Sequence, residues 1–332
     1  MILLLLLLLS FSISIFTAYN KVYHIRGLAH HLTIFILFIL LIHNNSKVNI
    51  FKNISNIFFV LGVLSLIVYV FQLITGQTDY VYKRSIGFVQ QLGGIFSGSG
   101  ANDSVGLFMV TFPFVLFKLE KNKLIFYLVI ILSFFIVIQT QTRMAWIGFP
   151  MVVLFYIILN RKITFNYLLF IPIIIFIIIS YIIIPNFEML SNRLSVDFLD
   201  KKSTVSFRFY MWALIIDSVL NQPFLLGLGI YWSKLNIRTI AHNIFFEMLI
   251  WGGVLALIIF IFLILYLLYV FIFYKSKVKL EGDYKIFATS FSSLLAYLLW
   301  GMTANAWIPI GFLLFLLNLA LIRTIVLSIK NE

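Results

Sequence analysis

Three side chains in this sequence stand out by the chemistry they could perform: Arg143, Arg208 and His242. Arg143 follows the polar run Gln139-Thr140-Gln141-Thr142, and Arg208 lies four residues before Trp212. A guanidinium group binds two phosphate oxygens at once through its planar fork of donors, so both arginines suit a phosphate-bearing ligand. The imidazole of His242 titrates near neutral pH and could accept a proton from a hydroxyl group. The pattern therefore indicates phosphate binding together with general-base catalysis.

Each of the three also has a structural alternative. Arg143 could extend to the membrane interface as an anchor, although an anchor would not require four polar neighbours. His242 could be an ordinary residue at the N-terminus of a membrane helix. Helical spacing over 206–221 gives one broad apolar face, formed by Phe207, Tyr210, Met211, Leu214, Ile215 and Val219. Arg208 and Trp212 share another face of that helix, which could instead rest on the bilayer surface.

Two glycine-containing segments could bring backbone atoms close to a ligand. Residues 93–103 hold four glycines within eight residues and end in Asn102-Asp103. No Lys-Ser/Thr pair follows, so this is not a Walker loop. The alternative is a flexible connection with Asn102 or Asp103 as a helix N-cap. The second segment, Gly227-Leu228-Gly229, follows Pro223, which is predicted to end the preceding helix.

The elements that must position these residues are membrane-spanning helices. The chain is 63% hydrophobic and 11% charged, and its apolar runs are long enough to cross a bilayer. Because lipid cannot hydrogen-bond the backbone, such runs must be helical. We predict an all-α, single integral membrane domain over residues 1–332 with about ten spans, at 2–19, 31–43, 55–75, 104–118, 124–140, 145–160, 164–184, 243–274, 286–302 and 307–327. The first is expected to be a retained span, and the eighth to break near Gly252-Gly253.

Charge predicts the orientation of these spans. The formal net charge of +13 comes from Lys and Arg in short clusters between spans, which is typical of topology signals and of contact with anionic lipids. No nucleic-acid-binding module is visible. The more basic set of alternate loops predicts that both termini are cytoplasmic and that the long loop 185–242 is extracytoplasmic. The chain has no Cys, which excludes disulfides and thiolate metal sites.

Metal ligands are scarce where an extracytoplasmic site would need them. The first outer loop, Asn20 to His31, contains no Asp or Glu that could hold a divalent cation. Its histidines are expected to lie at the membrane interface rather than to bind a metal. Asp197 and Asp200 form the only close acidic pair in the long loop, and they lie beside Lys201 and Lys202 as solvated surface charges would. The residues therefore favour a reaction without a metal ion.

The motifs, in their order along the chain, resemble a known family. A glycine-rich segment ends in Asn102, Thr142-Arg143 ends a span, and a long external stretch carries Arg-x-x-x-Trp, Pro-x-x-x-Gly-x-Gly and His-Asn. This combination is similar to the O-antigen ligase and polymerase superfamily of bacterial envelope enzymes over residues 85–275. One departure is Ala101-Asn102, where the family usually has Pro-Asn.

The resemblance implies a metal-independent, inverting glycosyltransferase with a GT-C-like fold and no cofactor. Its donor would be an oligosaccharide on undecaprenyl diphosphate, and its acceptor a sugar hydroxyl. Arg143 and Arg208 would then hold the donor diphosphate and stabilise its charge as it leaves, and His242 would act as base on the acceptor hydroxyl or orient it. The weaker, substrate-binding candidates are Asn102, Gly227, Gly229, Asn243 and Glu247.

Within this family the sequence leaves two functions open. The short chain and compact external loop favour an O-antigen or surface-polysaccharide polymerase of the bacterial inner membrane, with membrane lipids and a chain-length regulator as further partners. The alternative is an O-antigen ligase that transfers the glycan to lipid A–core of lipopolysaccharide. An alternative from another functional class is a lipid-linked glycan flippase or transporter. The near absence of charge in the spans, apart from Glu247, and the absence of internal repeats argue against transport.

Overall fold

The computed structural model describes residues 2–44, 47–75, 101–140, 142–160, 204–230, 232, 241, 243–302 and 309–330. The elements in this part of the chain are all helical, which confirms the all-α class for the described residues. The α-helices are α1 (Ile2–Ile13), α2 (Lys21–Asn44), α3 (Lys47–Thr75), α4 (Ala101–Leu119), α5 (Lys123–Gln139), α6 (Arg143–Leu159), α7 (Thr204–Leu220), α8 (Ile244–Tyr274), α9 (Glu281–Gly301) and α10 (Pro309–Lys330). Short 3-10 turns follow α1 at Ser14–Phe16 and α7 at Pro223–Leu225.

Helices α2, α3, α8 and α10 contain segments long and apolar enough to cross a membrane. These segments are Lys21–His43, Asn49–Gln72, Ile244–Tyr274 and Gly311–Ile329, and shorter apolar helices occupy Ile2–Phe16, Lys123–Ile138 and Ala145–Leu159. The chain is therefore that of a membrane protein. The number of about ten spans and their orientation stay predictions, and the predicted span 164–184 lies outside the described residues.

Helix α2 begins at Lys21, ten residues before the predicted start of the second span. Hydropathy alone does not show this early start, because the first turns carry polar residues. His24 and His31 are seven residues apart and so share one helix face. That face is turned into the protein, since the two side chains are only 0% and 3% exposed. These two histidines are therefore buried within the protein, whereas His30 is exposed, and their position relative to the membrane interface stays a prediction.

Helix α9 packs against α4, α6 and α10. Gly106 in α4 lies directly against the indole ring of Trp300, so any larger residue at position 106 would overlap that ring. One buried hydrogen-bond chain joins three of these helices. The Asn318 amide donates to Ser293 Oγ at 2.9 Å, and that hydroxyl donates to the Val110 carbonyl oxygen at 2.6 Å. In membrane proteins, hydrogen bonds between helices supplement close packing of small side chains.

A charged cluster ties the start of α9 to the connection between α4 and α5. The Lys285 ammonium forms a salt bridge with Glu120, and the Asn160 amide donates to the same carboxylate at 3.2 Å. Glu281, one turn earlier in α9, lies 3.4 Å from Lys285. Burial lowers the pKa of Lys285, but hydrogen bonding and charge from Glu120 and Glu281 outweigh burial and raise the pKa above its ordinary value. Lys285 is therefore charged at physiological pH.

Helix α8 packs against α1 and α7, and this group of helices carries most of the candidate site. The helix is 31 residues long and contains a break at Gly253, where φ is +73°. This confirms the predicted interruption of the eighth span. A left-handed φ is costly for residues with a Cβ, so a glycine is required at the break.

Candidate functional site

Helix α7 confirms the helix predicted over 206–221 and carries the candidate Arg208, whose side chain is half-buried. The residues of α7 that are turned into the protein are Met211, Ile215 and Val219. Tyr210, predicted to lie on the same face, is instead 64% exposed. Position 210 is rotated by about 100° from position 211, which takes it out of the narrow buried face.

Trp212 joins α7 to the residue that precedes His242. Its indole Nε1–H donates to the Ala241 carbonyl oxygen at 2.9 Å. Its ring also stacks on Phe246 in the first turn of α8, with centroids 5.0 Å apart and ring planes 12° from parallel. Since Arg208 lies one turn before Trp212, these contacts hold the helix that carries the arginine against the start of α8.

Asn243 begins helix α8 as its N-cap. Its Oδ1 accepts the Phe245 N–H at 2.9 Å, which satisfies one of the N–H groups that the first turn leaves without a partner inside the helix. Its Nδ2 also donates to the Met302 carbonyl oxygen at the end of α9, at 3.5 Å. The side chain of Asn243 therefore has a structural role at the start of α8, and its predicted role in substrate binding stays a prediction.

Glu247 is 1% exposed and faces back toward the connection that precedes α8. Its Oε1 accepts the Ala241 N–H at 3.0 Å. The side chain of Trp251, one turn further along α8, hydrogen-bonds the same carboxyl group. Trp251 in turn packs edge-on against Phe11 of α1, with ring centroids 5.7 Å apart. The carboxyl group thus joins Ala241 to Trp251, which in turn contacts α1.

Three of the predicted site residues have side chains that lie outside the described part of the structure. His242 lies outside it altogether, although its neighbours Ala241 and Asn243 are described. Arg143 is the first residue of α6, and Asn102 lies in the first turn of α4 rather than before that helix. The side chains of Thr140 and Thr142, beside Arg143, are buried.

Gly227 and Gly229 lie in the short segment 227–230, which we call the glycine segment and which is packed against the break in α8. The N–H groups of Leu228 and Gly229 both donate to the Ile250 carbonyl oxygen, at 2.6 and 3.0 Å. A Cβ at Gly227 would come within 2.6 Å of that same oxygen and 2.7 Å of the Gly252 nitrogen. Gly229 has a φ of +96°, which residues with a Cβ rarely adopt. Gly227 is explained by close backbone packing and Gly229 by its left-handed φ, and their binding of substrate stays a prediction.

The other face of this glycine segment contacts the N-terminal part of the chain. The Gly227 N–H donates to Ser14 Oγ at 3.1 Å, and Thr17 Oγ1 donates to the Gly227 carbonyl oxygen at 2.6 Å. The Tyr19 N–H donates to the Leu228 carbonyl oxygen at 3.1 Å. Sequence reasoning missed these partners, and the only available signal was the presence of Ser and Thr within an apolar run.

Within the described residues no group of three His, Asp, Glu or Cys side chains could hold a metal ion. Metal independence of the reaction stays a prediction, because Asp197 and Asp200 lie outside the described residues.

Comparison with known proteins identifies a related family. Residues 128–261 match the family model described as O-Antigen ligase. This match supports the O-antigen ligase and polymerase superfamily for this part of the chain. We call residues 128–261 the O-antigen ligase stretch. It contains Arg143, Arg208, the glycine segment and the start of α8 through Glu247. Asn102 and the N-terminal partners of the glycine segment lie before it.

A curated relative supports the same family. The chain is 24% identical over 166 residues to the ComP-specific O-oligosaccharyltransferase of Acinetobacter baylyi (strain ATCC 33305 / BD413 / ADP1). That match covers 44% of this chain and 30% of the relative, so the chain spans less than a third of the relative's length. No solved structure matches the chain. The O-antigen ligase family is a glycosyl-transferring enzyme type, and the chain is therefore related to membrane enzymes that transfer glycans.

Proposed function

We propose that this protein is a membrane glycosyltransferase that moves a glycan from undecaprenyl diphosphate to a sugar hydroxyl, and that it acts as a polysaccharide polymerase. The observation that carries the proposal is the hydrogen bond from Trp212 to Ala241 at 2.9 Å. It joins the helix of Arg208 to the residue next to His242. The helix that carries the proposed phosphate-binding Arg208 is thus connected to the neighbour of the proposed base, within the stretch that matches O-antigen ligases.

The proposed reaction is a single displacement. The acceptor hydroxyl oxygen forms a bond to the anomeric carbon of the donor while the bond from that carbon to the diphosphate oxygen breaks. The electron pair of the broken bond stays on the diphosphate, and the hydroxyl proton passes to His242. Arg143 and Arg208 stabilise the negative charge that develops on the diphosphate, which is where fixed cationic donors lower the barrier most. One displacement inverts the configuration at the anomeric carbon.

An O-antigen ligase is the second candidate. It is supported by the description of the matched family and by the relative, whose name describes the transfer of an oligosaccharide. Both candidates place the donor-binding loop on the extracytoplasmic side of the inner membrane, with both termini in the cytoplasm. They differ in the acceptor, which is a second lipid-linked repeat unit for a polymerase and lipid A–core for a ligase.

A deletion strain separates these functions. For a polymerase we expect loss of the glycan ladder, with a single repeat unit left on lipid A–core. For a ligase we expect full-length chains to accumulate on undecaprenyl diphosphate. An unchanged profile of both envelope glycans and lipid-linked intermediates would contradict both and favour a transporter.

The site assignment is tested by complementing that strain with variants. We expect His242→Ala, Arg143→Ala and Arg208→Ala to give no product while each protein remains in the membrane at its usual level. Arg26→Ala is the matched control, because Arg26 is exposed on α2 and lies outside the family match. Normal product from the three site variants would refute the assignment.

A further inference from the structure

The carboxyl group of Glu247 is hydrogen-bonded to other groups of the protein. The side chain is 1% exposed, and its Oε1 accepts the Ala241 N–H at 3.0 Å. The carboxyl group accepts a second hydrogen bond from the side chain of Trp251. A carboxyl group enclosed in this way is poorly placed to meet a sugar in a binding cleft. Its geometry points to a different role from the substrate binding that the sequence predicts.

Ala241 is held from both sides. Its N–H is bound by Glu247 of α8, and its carbonyl oxygen accepts the indole N–H of Trp212 of α7 at 2.9 Å. The two bonds come from different helices, so the position of the Ala241 backbone depends on how α7 and α8 pack. Stacking of Trp212 on Phe246 fixes the indole that makes the second bond. We call Glu247, Trp212 and Ala241 the Ala241 clamp.

The clamp acts immediately before position 242. On the other side of that position, the backbone is held by Asn243, which caps α8 through the Phe245 N–H at 2.9 Å. His242 is therefore joined at both ends to residues whose backbone is fixed by hydrogen bonds. A general base works only when its distance and direction to the proton are maintained. Hydrogen bonds that fix the neighbouring backbone help to maintain them.

We propose that Glu247 and Trp212 are positioning residues for His242. They act through the backbone of Ala241 and do not contact the substrate. The inference rests on the proposed function, in which His242 accepts the proton of the acceptor hydroxyl. Helix α7 then has two roles in the same reaction. It presents Arg208 to the diphosphate, and through Trp212 it sets the position of the base.

Three variants test the clamp in the full-length protein. Glu247→Leu removes the acceptor and leaves the buried Ala241 N–H without one, whereas Glu247→Gln keeps an oxygen that can accept that N–H. Trp212→Phe keeps an aromatic ring on Phe246 but removes the indole donor. Asp217→Asn, at an exposed position of α7, is the control. Each protein is purified in detergent and checked for a monodisperse, thermally cooperative state.

The first measurement is hydrogen–deuterium exchange of the peptides that contain Ala241, without any substrate. We expect exchange at this amide to be about tenfold faster or more in Glu247→Leu, because its hydrogen bond is lost, and close to wild type in Glu247→Gln. The second measurement is the envelope glycan profile of the deletion strain that carries each variant. We expect product to be lost in Glu247→Leu, strongly reduced in Trp212→Phe, and retained in Glu247→Gln and Asp217→Asn.

Three results would overturn the inference. Loss of product in Glu247→Leu with unchanged exchange at Ala241 would mean that Glu247 acts on the substrate directly. Faster exchange with full product would mean that the clamp is not needed for the reaction. Loss of product in Glu247→Gln with wild-type exchange would show that the charge of Glu247 or its bond from Trp251 matters rather than its bond to Ala241. If instead the deletion strain has an unchanged glycan profile, the proposed function fails, and the exchange data alone show whether the hydrogen bond is present.

Discussion

The imidazole of His24 accepts the backbone N–H of Ile230 through Nδ1 at 3.0 Å. Because Nδ1 is an acceptor, the ring is neutral and carries its proton on Nε2, which donates to the Phe11 carbonyl oxygen at 2.9 Å. One side chain of α2 thus joins α1 to the end of the glycine segment. A residue that lies well before the O-antigen ligase stretch therefore helps to hold a segment inside it.

We expect His24→Ala to destabilise the protein by about 1–3 kcal/mol, since it leaves the buried Ile230 N–H without its acceptor. His30→Ala is the matched control, because His30 lies on the same helix but is exposed. The measurement is thermal unfolding of both purified variants in the same detergent. Equal unfolding midpoints for the two variants would show that the bond to Ile230 contributes little.

Gly227 and Gly282 provide a second matched pair. A Cβ at Gly227 would meet backbone atoms of Ile250 at 2.6 Å and of Trp251 at 2.7 Å, and backbone at a helix break cannot easily move. At Gly282, in the first turn of α9, nothing lies within 4 Å of the added Cβ. We expect Gly227→Ala to reduce the yield of folded protein sharply. Gly282→Ala should be neutral or stabilise by about 0.5–1 kcal/mol.

The yield of monodisperse protein after detergent extraction, followed by thermal unfolding, measures both effects. If Gly227→Ala were folded and as stable as wild type but gave no glycan product, the glycine would be a substrate-binding residue rather than a packing residue. Comparable yields and normal product in both variants would contradict the packing explanation.

The parts of the fold that local sequence determines were predictable. The helix over 206–221 followed from the spacing of its apolar residues, and it is present over Thr204–Leu220. The break in α8 followed from the length of an apolar run that contains Gly252-Gly253, and it occurs at Gly253. Both features depend on residues that are close together in the chain.

The contacts around the candidate site were not predictable in the same way. His24 and Ile230 are 206 residues apart, and Ser14 and Gly227 are 213 residues apart. Neither pair has a spacing that a single sequence can reveal. Glu247 was singled out as a charge in an apolar span, which is a sound signal for a special role. Its partner Ala241 is an apolar residue that uses only its backbone, so the nature of that role required the structure.

Lys285 gives a prediction on pH. Its pKa is raised in the folded protein, so its contribution to stability is complete below the pKa of the unfolded chain, about 10.4, and decreases as pH rises through the higher folded value. We expect Lys285→Gln to unfold at a lower temperature than wild type from pH 6 to pH 9, with a constant difference. Thermal unfolding in detergent across this range measures it, and a difference that already shrinks by pH 8 would contradict the raised pKa.

Glu120 and Glu281 contribute unequally to that result. The Glu120 carboxylate is also bound by Asn160 and is largely shielded, at 18% side-chain exposure, whereas the Glu281 side chain is 58% exposed and lies within the same helix as Lys285. Exposed pairs one turn apart contribute only about 0.3–0.5 kcal/mol. In double-mutant cycles with Lys285→Gln, we expect a larger coupling for Glu120→Gln than for Glu281→Gln. The reverse order would assign the main stabilisation to the exposed pair.

Asn243 allows capping to be distinguished from substrate binding. Its Oδ1 accepts the Phe245 N–H at 2.9 Å, and loss of such a cap costs about 1 kcal/mol. Ser and Asp also cap helices well, so Asn243→Ser and Asn243→Asp should keep both stability and glycan product, whereas Asn243→Ala should lose stability and part of its product. The measurements are thermal unfolding and the glycan profile of the complemented deletion strain. If Asn243→Ser were as stable as wild type yet gave no product, the amide would be needed for more than capping, either for its bond to the Met302 carbonyl oxygen or for contact with the substrate.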